Sequence, residues 1–322
     1  MVIGIIFGIG AVLVLLIAYI CYRMGFYAPP RVPLAEGAVE YPEGEAYVPF
    51  HEKMAYWVRQ TRLLPQEDVQ ITSFDGLKLH GKYFELSPEA PMELMFHGYR
   101  GSAERDLPGG VQRCFACGRS ALIVDQRCSG RSEGTAITFG VNEHKDCLAW
   151  VDYAVRRFGS ERKIILTGIS MGAATVIMAA GKPLPPNVIG IIADCGYSTQ
   201  KEIICKVVKE MGLPPKISYS FVRLGARIFG GFNLEETSPM KALETATVPI
   251  AFFHGEDDGY VPCYMSRKMY DAYSGKKTLF TVPGADHGLS YAVAPKEYRE
   301  TLAEFSARRH PVLRRGCCDR AH

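Results

Sequence analysis

The chain has 322 residues, with 37 Lys and Arg against 34 Asp and Glu, so its formal net charge is only +3. A charge this close to balance gives no reason to expect a nucleic-acid partner. The length suits one large α/β domain with appendages, and the 32 glycines and 20 prolines are scattered as turn residues rather than collected in a low-complexity tract.

The N-terminal stretch, residues 2–20, is an almost unbroken apolar run that is long enough to span a bilayer as a helix. A cleaved signal peptide normally has a Lys or Arg before its apolar core, and none precedes this run. Ile20 stands where a lipoprotein signal needs a small residue before Cys21. We therefore predict an uncleaved membrane anchor over residues 1–23. Arg23 and Arg31 follow the run, so the positive-inside rule predicts that the rest of the chain lies on the cytoplasmic side.

The anchor leads into a segment, residues 24–50, that is rich in Pro, Gly and Glu and is interpreted as a linker. A loose helical pattern over residues 51–64 ends at Pro65. Asp75-Gly76 then separates two strand-like runs, which predicts a β-hairpin. Further strands are predicted at 93–97, 121–125, 163–170, 188–194, 248–254 and 277–282, and helices near 104–118, 140–158, 171–181, 237–244, 263–274 and 295–308.

This alternation of strands and helices predicts an α/β fold with a mostly parallel, doubly wound sheet covered on both faces, over residues 51–308. Ligands in such sheets bind beyond the carboxyl ends of the strands. Residues 198–236 interrupt the alternation and are split by Leu213-Pro214-Pro215. We predict a small helical cap there. Its apolar stripe indicates ordinary packing, with a substrate wall as the alternative; the stripe consists of Ile217, Phe221, Leu224, Ile228 and Phe229.

The C-terminal tail, residues 309–322, is basic, carries Cys317-Cys318 and has no periodicity. A frayed terminus is expected, with contact to anionic lipid or palmitoylation as alternatives. The ten cysteines of the chain form no disulfide framework, which favours a reducing compartment. Cys114 and Cys117 lack a second pair at zinc spacing, so we expect them on a helix. Neither a metal nor an organic cofactor is predicted.

The segment Gly168-Ile169-Ser170-Met171-Gly172 joins an apolar strand to a run of small helix-forming residues. That context is typical of a nucleophile elbow, in which the serine hydroxyl projects above the sheet. A second Gly-x-Ser-x-Gly, residues 130–134, follows a polar turn and leads into no helix-forming run. Ser170 is therefore favoured over Ser132 as the nucleophile.

A serine nucleophile needs a base, and the base needs an orienting acid, in the chain order Ser, acid, His. His287 follows the last predicted strand and is the predicted base; the later histidines, His310 and His322, lie in the tail. Glu256, Asp257 and Asp258 compete as the acid. Asp258 is preferred because Val261-Pro262 fixes the loop after it, and Asp257 is the runner-up; Asp286, beside the base in sequence, is expected to point away.

Two backbone N–H groups are needed to stabilise a tetrahedral oxyanion. One is predicted to come from Met171, which follows the nucleophile. The other is predicted to come from Tyr99, in the loop after the strand at 93–97. His97 is interpreted as a residue that braces this loop.

These motifs resemble the α/β-hydrolase superfamily, above all the bacterial branch of serine aminopeptidase (S33)-like and acyl-thioesterase-like hydrolases, many of which carry an N-terminal anchor. The matching segments are residues 97–106, 125–134, 168–172, 254–262 and 284–288, within a resemblance that spans about 69–308. It implies a catalytic triad of Ser170, Asp258 and His287, with Tyr99 and Met171 as oxyanion donors. Segment 125–134 matches a structural loop of the family, in which Cys128 replaces a small residue.

The leading hypothesis is a serine hydrolase that cleaves a carboxylic ester or thioester of a small acyl substrate. A serine peptidase acting on short peptides is the alternative; it needs a carboxylate for the substrate amine, for which Glu202, Glu235 and Glu236 are candidates. A non-catalytic α/β-hydrolase scaffold is the third possibility, and it is disfavoured because all three triad candidates are present.

Overall fold

A computed structural model describes residues 2–29, 35 and 37–307 of the chain. Arg31 and the predicted basic tail, with Cys317, Cys318, His310 and His322, lie outside the described residues.

Eight strands form one sheet in the order β1-β2-β4-β3-β5-β6-β7-β8. β1 and β2 form the hairpin around Asp75-Gly76, and β2 is antiparallel to β4; all other neighbours are parallel. The predicted α/β class and mostly parallel sheet are therefore confirmed. The strands are β1 (Glu67–Thr72), β2 (Lys78–Phe84), β3 (Met92–Phe96), β4 (Ser120–Val124), β5 (Ile164–Ile169), β6 (Val188–Asp194), β7 (Ile250–Gly255) and β8 (Lys277–Val282).

Helices cover both faces of this sheet, and every residue of the one that follows β5 is buried. The predicted helix near 104–118 is broken in two, because Pro108 lacks an N–H group and instead begins a new helix. The helices are α1 (Val2–Gly25), α2 (His51–Leu63), α3 (Ala103–Asp106), α4 (Pro108–Ala116), α5 (Glu143–Phe158), α6 (Met171–Ala180), α7 (Gln200–Glu210), α8 (Pro215–Ile228), α9 (Pro239–Leu243), α10 (Tyr264–Ala272), α11 (Ser290–Val293) and α12 (Pro295–Ala307).

The strand order reverses between β3 and β5, which lie side by side with Phe96 opposite Gly168. The loop after β3 and the turn after β5 therefore meet at the carboxyl edge of the sheet, where doubly wound sheets bind ligands. β3 is fully buried although it contains Glu93. Arg113, Arg119 and Thr167 bond to this carboxylate and hold its pKa below the ordinary value although burial raises it. The charge is thus compensated inside the core.

The N-terminal helix α1 packs its last turns against α8 of the cap region. A Cβ added to Gly225 would lie 2.3 Å from the Ala18 carbonyl oxygen, so the two backbones approach closely. The Phe229 ring lies 5.1 Å from the Tyr19 ring and 6.2 Å from the Tyr22 ring. α1 is also the one helix in the described part of the chain that is long and apolar enough to cross a membrane, over Ile6–Gly25.

The segment after α1 differs from the predicted linker because it is part of the folded domain. Phe26 is fully buried, and the Ala28 N–H donates to the Thr135 carbonyl. A 3₁₀ helix over Glu45–Phe50 then leads directly into α2. Composition predicted a free segment here, because Pro, Gly and Glu are common both in linkers and in irregular structure that covers a domain.

The end of α1 is also tied to the loop after β3. The Tyr99 hydroxyl donates to the Gly25 carbonyl at 2.8 Å, and the Arg100 guanidinium donates to the Met24 carbonyl at 2.9 Å. These side chains satisfy carbonyl groups that the last turn of a helix leaves without an intrahelical partner.

Candidate active site

Ser170 lies in a sharp turn between β5 and α6. Its φ of 56° is in the left-handed region, which a residue other than glycine adopts only under constraint. A Cβ at Gly168 would lie 2.1 Å from the Gly172 carbonyl oxygen, and a Cβ at Gly172 would lie 2.1 Å from the Phe96 carbonyl oxygen. Both glycines are therefore required by close backbone approach, which is the geometry of a nucleophile elbow.

The structure places the imidazole of His287 between Ser170 and Asp258. Its Nε2 lies 2.9 Å from the Ser170 Oγ, and its Nδ1 lies 2.7 Å from the Asp258 Oδ2. Because a carboxylate only accepts hydrogen bonds, Nδ1 carries the proton, and Nε2 is left to accept the proton of the serine hydroxyl. The three side chains come from the loops after β5, β7 and β8.

Asp258 is held by four donors and has a fully buried side chain. Its Oδ1 accepts the backbone N–H groups of Tyr260 and Val261, at 2.9 and 2.7 Å. Its Oδ2 accepts from His287 and, at 3.1 Å, from the Nε2 of His254. Burial raises the pKa of Asp258, but the hydrogen bonds from His254 and His287 outweigh it and lower the pKa to about 2. The carboxylate is therefore ionised at neutral pH.

His254 is a site residue that the sequence analysis did not assign. Its Nε2 lies 2.7 Å from the Val261 carbonyl as well as near Asp258, and its Nδ1 lies 2.7 Å from the Ser266 Oγ. Both neighbours of Nε2 are acceptors, so Nε2 carries the proton and the Ser266 hydroxyl donates to Nδ1. His254 thus braces the same carboxylate oxygen, Oδ2, that His287 contacts. The sequence shows that His254 stands four residues before Asp258, but it does not show that the two side chains are hydrogen-bonded.

Within the described residues, none of the three other acid candidates is hydrogen-bonded to the imidazole: Glu256 accepts from Arg267 and Thr281 instead. Asp257 is exposed. Asp286 accepts the backbone N–H groups of Gly259, at 3.0 Å, and of His287, at 2.6 Å, so it ties the loop of the acid to the loop of the base.

The two predicted oxyanion donors, Tyr99 and Met171, lie next in sequence to Gly98 and Ser170. A Cβ placed on Gly98 would lie 3.4 Å from the Ser170 Cβ, so the loop after β3 passes close to Ser170. Across residues 2–29, 35 and 37–307, the backbone N–H groups of Tyr99 and Met171 make no hydrogen bond. His97 accepts the Gln126 N–H at 3.0 Å and so braces this loop against the end of β4.

Ser132, in the second Gly-x-Ser-x-Gly segment, has a structural role. Its hydroxyl donates to the Asp125 carbonyl at 2.6 Å and accepts the His80 N–H at 2.8 Å. These bonds hold the loop after β4 against β2, and Ser132 does not line the cavity described next.

A cavity of about 880 Å³ opens over Ser170 and His287. Trp57 of α2 and Tyr47, from the segment predicted to be a linker, form part of its wall, and Lys206 of α7 lies on another side. The five apolar stripe residues of the cap do not line it. The alternative that the stripe is a substrate wall is therefore wrong, and part of the stripe packs against α1 instead.

A resident metal does not fit the one cluster of potential ligands at this site. Donor atoms of Cys195, Asp258 and His287 lie within 4.8 Å of one another. Burial raises the pKa of the Cys195 thiol well above its ordinary value, so it stays protonated. The other two groups are engaged with each other. Cys114 and Cys117 are both buried thiols, with Cys114 on α4 and Cys117 at its end.

Comparison with known proteins finds similar folds among solved structures and more distant similarity in sequence. No family model matches the chain. It is 28% identical to the uncharacterized protein YqkD of Bacillus subtilis over 189 residues, or 58% of this chain. The match covers 62% of YqkD, which is less than two thirds of that relative's length. Among solved structures, the esterase Pf2001 of Pyrococcus furiosus superposes with a TM-score of 0.66 at 21% identity, over 88% of this chain and 98% of that one. The α/β hydrolase GrgF of Penicillium sp. sh18 superposes with a TM-score of 0.60 at 18% identity, over 76% of this chain and 99% of GrgF.

The sheet order, the turn at Ser170 and these superpositions define the fold. The chain has the α/β-hydrolase fold, as its sequence motifs predicted.

Proposed function

We propose that this protein is a membrane-anchored serine hydrolase that cleaves a carboxylic ester or thioester. The observation that carries the proposal is the hydrogen-bonded line from Ser170 through His287 to Asp258. It lies beside two backbone N–H groups that have no partner within the described residues. The Pyrococcus furiosus neighbour is an esterase, which supports the same chemistry. Membership of the serine aminopeptidase-like and acyl-thioesterase-like branch is part of the proposal.

The reaction follows from which atom can accept a proton. His287 takes the hydroxyl proton at Nε2 while Ser170 Oγ attacks the acyl carbon, and the oxyanion is received by the N–H groups of Tyr99 and Met171. The imidazolium then gives its proton to the leaving alcohol or thiol. Asp258 stays ionised and stabilises the imidazolium without taking its proton. Water activated by His287 resolves the acyl-enzyme by the same steps in reverse.

The peptidase alternative gains no support from its proposed amine ligands. Glu202 is bonded to Lys268 at 2.8 Å, Glu235 to Arg223 at 2.8 Å, and Glu236 to Lys145 at 2.9 Å. None of the three glutamates lines the cavity. Each already has a cationic partner, so none is available at the site to recognise a substrate amine.

The proposal also places α1 across a membrane, with the hydrolase domain on the cytoplasmic side. The basic residue Arg23 at the end of α1 supports this orientation. The eight described cysteines are all free thiols, as expected in a reducing compartment.

Labelling with a fluorophosphonate tests the proposal, because this probe reacts only with an activated serine. The full-length protein should be labelled, Ser170→Ala should not, and Ser132→Ala should be labelled like the unsubstituted chain. A parallel panel of esters, thioesters and aminoacyl amides separates the hydrolase from the peptidase. Labelling that depends on Ser132 would contradict the site, and absence of labelling in all three forms would favour the non-catalytic scaffold.

A further inference from the structure

The cap helix α8 carries a surface that neither the hydrolase chemistry nor the folding of the domain uses. Ile217 and Ile228 are 61% and 49% exposed. They are eleven residues apart, and at about 100° per residue both lie on the same face of the helix, close to Leu224. We call Ile217, Leu224 and Ile228 the α8 stripe; Leu224 is half-buried, and the two isoleucines are exposed.

Packing against α1 fixes where α8 lies relative to a membrane. The candidate span, Ile6–Gly25, has 20 residues, and at about 1.5 Å per residue it just crosses a hydrocarbon core of about 30 Å. Any window of that length within Val2–Gly25 includes Tyr19. Phe229, which follows α8 directly, has its ring 5.1 Å from the ring of Tyr19. Tyr19 lies two to six residues before the end of any such window, so at about 1.5 Å per residue the end of α8 lies about 3–9 Å inside the edge of the hydrocarbon core.

The charges of α8 are those of a helix that lies in a membrane interface. Lys216, Arg223 and Arg227 are exposed, and α8 contains no acidic residue. At helical spacing the three cations form a second face, about 60° to 140° away from the residues of the α8 stripe. An apolar face with a basic face beside it is the pattern of amphipathic helices that bind anionic bilayers.

The mouth of the cavity adjoins the same region. Arg100 lines the cavity and donates to the carbonyl of Met24, at the end of α1. Lys206 and Glu210 of α7 line it as well, and α7 leads into α8. An opening bordered by these residues lies next to the point where α1 leaves the membrane.

We propose that the α8 stripe is embedded in the interface of an anionic bilayer, so that the cavity opens at the membrane surface and takes its acyl substrate from the lipid phase. The membrane-binding role of the α8 stripe rests on the proposed membrane span. The route of the substrate from the lipid phase rests on the proposed hydrolase function.

Quenching of a single introduced tryptophan tests the surface without any enzyme assay. The full-length chain would be placed in nanodiscs of phosphatidylcholine with about a third phosphatidylglycerol, with or without bromine on the acyl chains. Ile228→Trp reports on the stripe. Ser160→Trp is the matched control, because Ser160 is exposed and precedes β5 at the amino edge of the sheet, away from the loops bonded to α1.

Brominated lipid should quench the added emission of Ile228→Trp by at least about two-fold and leave that of Ser160→Trp unchanged. Equal and weak quenching of both variants would overturn the proposal. So would emission of Ile228→Trp that brominated lipid does not quench and that shifts to the blue as the protein concentration rises, since that indicates a second copy of the chain on this surface.

A double variant, Ile217→Glu with Ile228→Glu, tests the substrate route. It should lower the turnover of a long-chain ester dissolved in the nanodisc on the order of ten-fold, and leave the turnover of a water-soluble acetate ester unchanged. An equal change with both esters would overturn the route. If the unsubstituted chain hydrolyses neither ester, the proposed hydrolase function and the substrate route both fail. The quenching experiment still decides whether the α8 stripe lies in the bilayer.

Discussion

The substitution Asp258→Asn has an outcome that the hydrogen bonds of the carboxylate determine. The Oδ1 of Asp258 faces two fixed backbone donors, the N–H groups of Tyr260 and Val261. An asparagine must keep its carbonyl oxygen there, because its amide group would confront two N–H groups. The amide then takes the Oδ2 position and donates to the Nδ1 of His287. This forces the proton of the imidazole onto Nε2, and a protonated Nε2 can no longer accept the proton of the Ser170 hydroxyl.

The loss of rate follows from the cost of restoring the productive tautomer. The imidazole N–H and the asparagine N–H would then face each other, and each buried donor left without an acceptor costs about 1–3 kcal/mol. Two such groups cost about 2–6 kcal/mol, which lowers the acylation rate by about 30-fold to 10⁴-fold. Loss of the negative charge beside the imidazolium adds to this.

The assay is the rate of fluorophosphonate labelling at neutral pH, together with kcat on a soluble ester. The matched control is Asp257→Asn, because Asp257 is the exposed neighbour and the runner-up acid. We expect the control to label at the normal rate. An Asp258→Asn variant that labels within about three-fold of the unsubstituted chain would refute the tautomer argument, and a similar loss in the control would refute the assignment of the acid.

Two further predictions concern stability. The pKa of Asp258 is lowered from 3.8 to about 2, so its ionisation contributes on the order of 2 kcal/mol, which is fully present above pH 4 and is lost as the pH falls through 2. Urea unfolding in detergent at pH 5 and pH 2 should show this loss in the unsubstituted chain and not in Asp258→Asn; equal pH dependence of the two would contradict it. Gly172→Ala should lower the free energy of unfolding by about 1–3 kcal/mol or more and abolish labelling, because the new Cβ would meet the Phe96 carbonyl oxygen at 2.1 Å. Gly25→Ala, with no atom within 4 Å of its Cβ, is the control, and equal thermal stability of the two variants would show that the elbow can relax.

The sequence predicted the sheet and the elbow well because their signals are local. Apolar runs such as β5 end in turn residues, and Gly168 and Gly172 mark a backbone crossing that only glycine allows. The contacts among Ser170, Asp258 and His287 were predicted from chain order, and the structure shows them as hydrogen bonds.

The parts that the sequence did not reveal depend on long-range packing. An apolar helix such as α1 has the same composition whether lipid or protein surrounds it, so its contact with Gly225 of α8 left no signal. Glu93 interrupts an apolar strand, and only the fold brings Arg113 and Arg119 to it. His254 lies near the end of β7, and only the turn of the following loop brings Asp258 back against it.

The bonds from Tyr99 and Arg100 to the end of α1 bear on what would happen if the proposed membrane anchor were cut off. A cut that removed the chain through Gly25 would take away the acceptors of both side chains and free the end of the segment that carries Phe26. The loop that carries Tyr99 would then lose its bond to α1, and the face of α8 around Gly225 would lose its cover. Under the proposed function, proteolytic removal of α1 would displace a predicted oxyanion donor and so act as an off-switch.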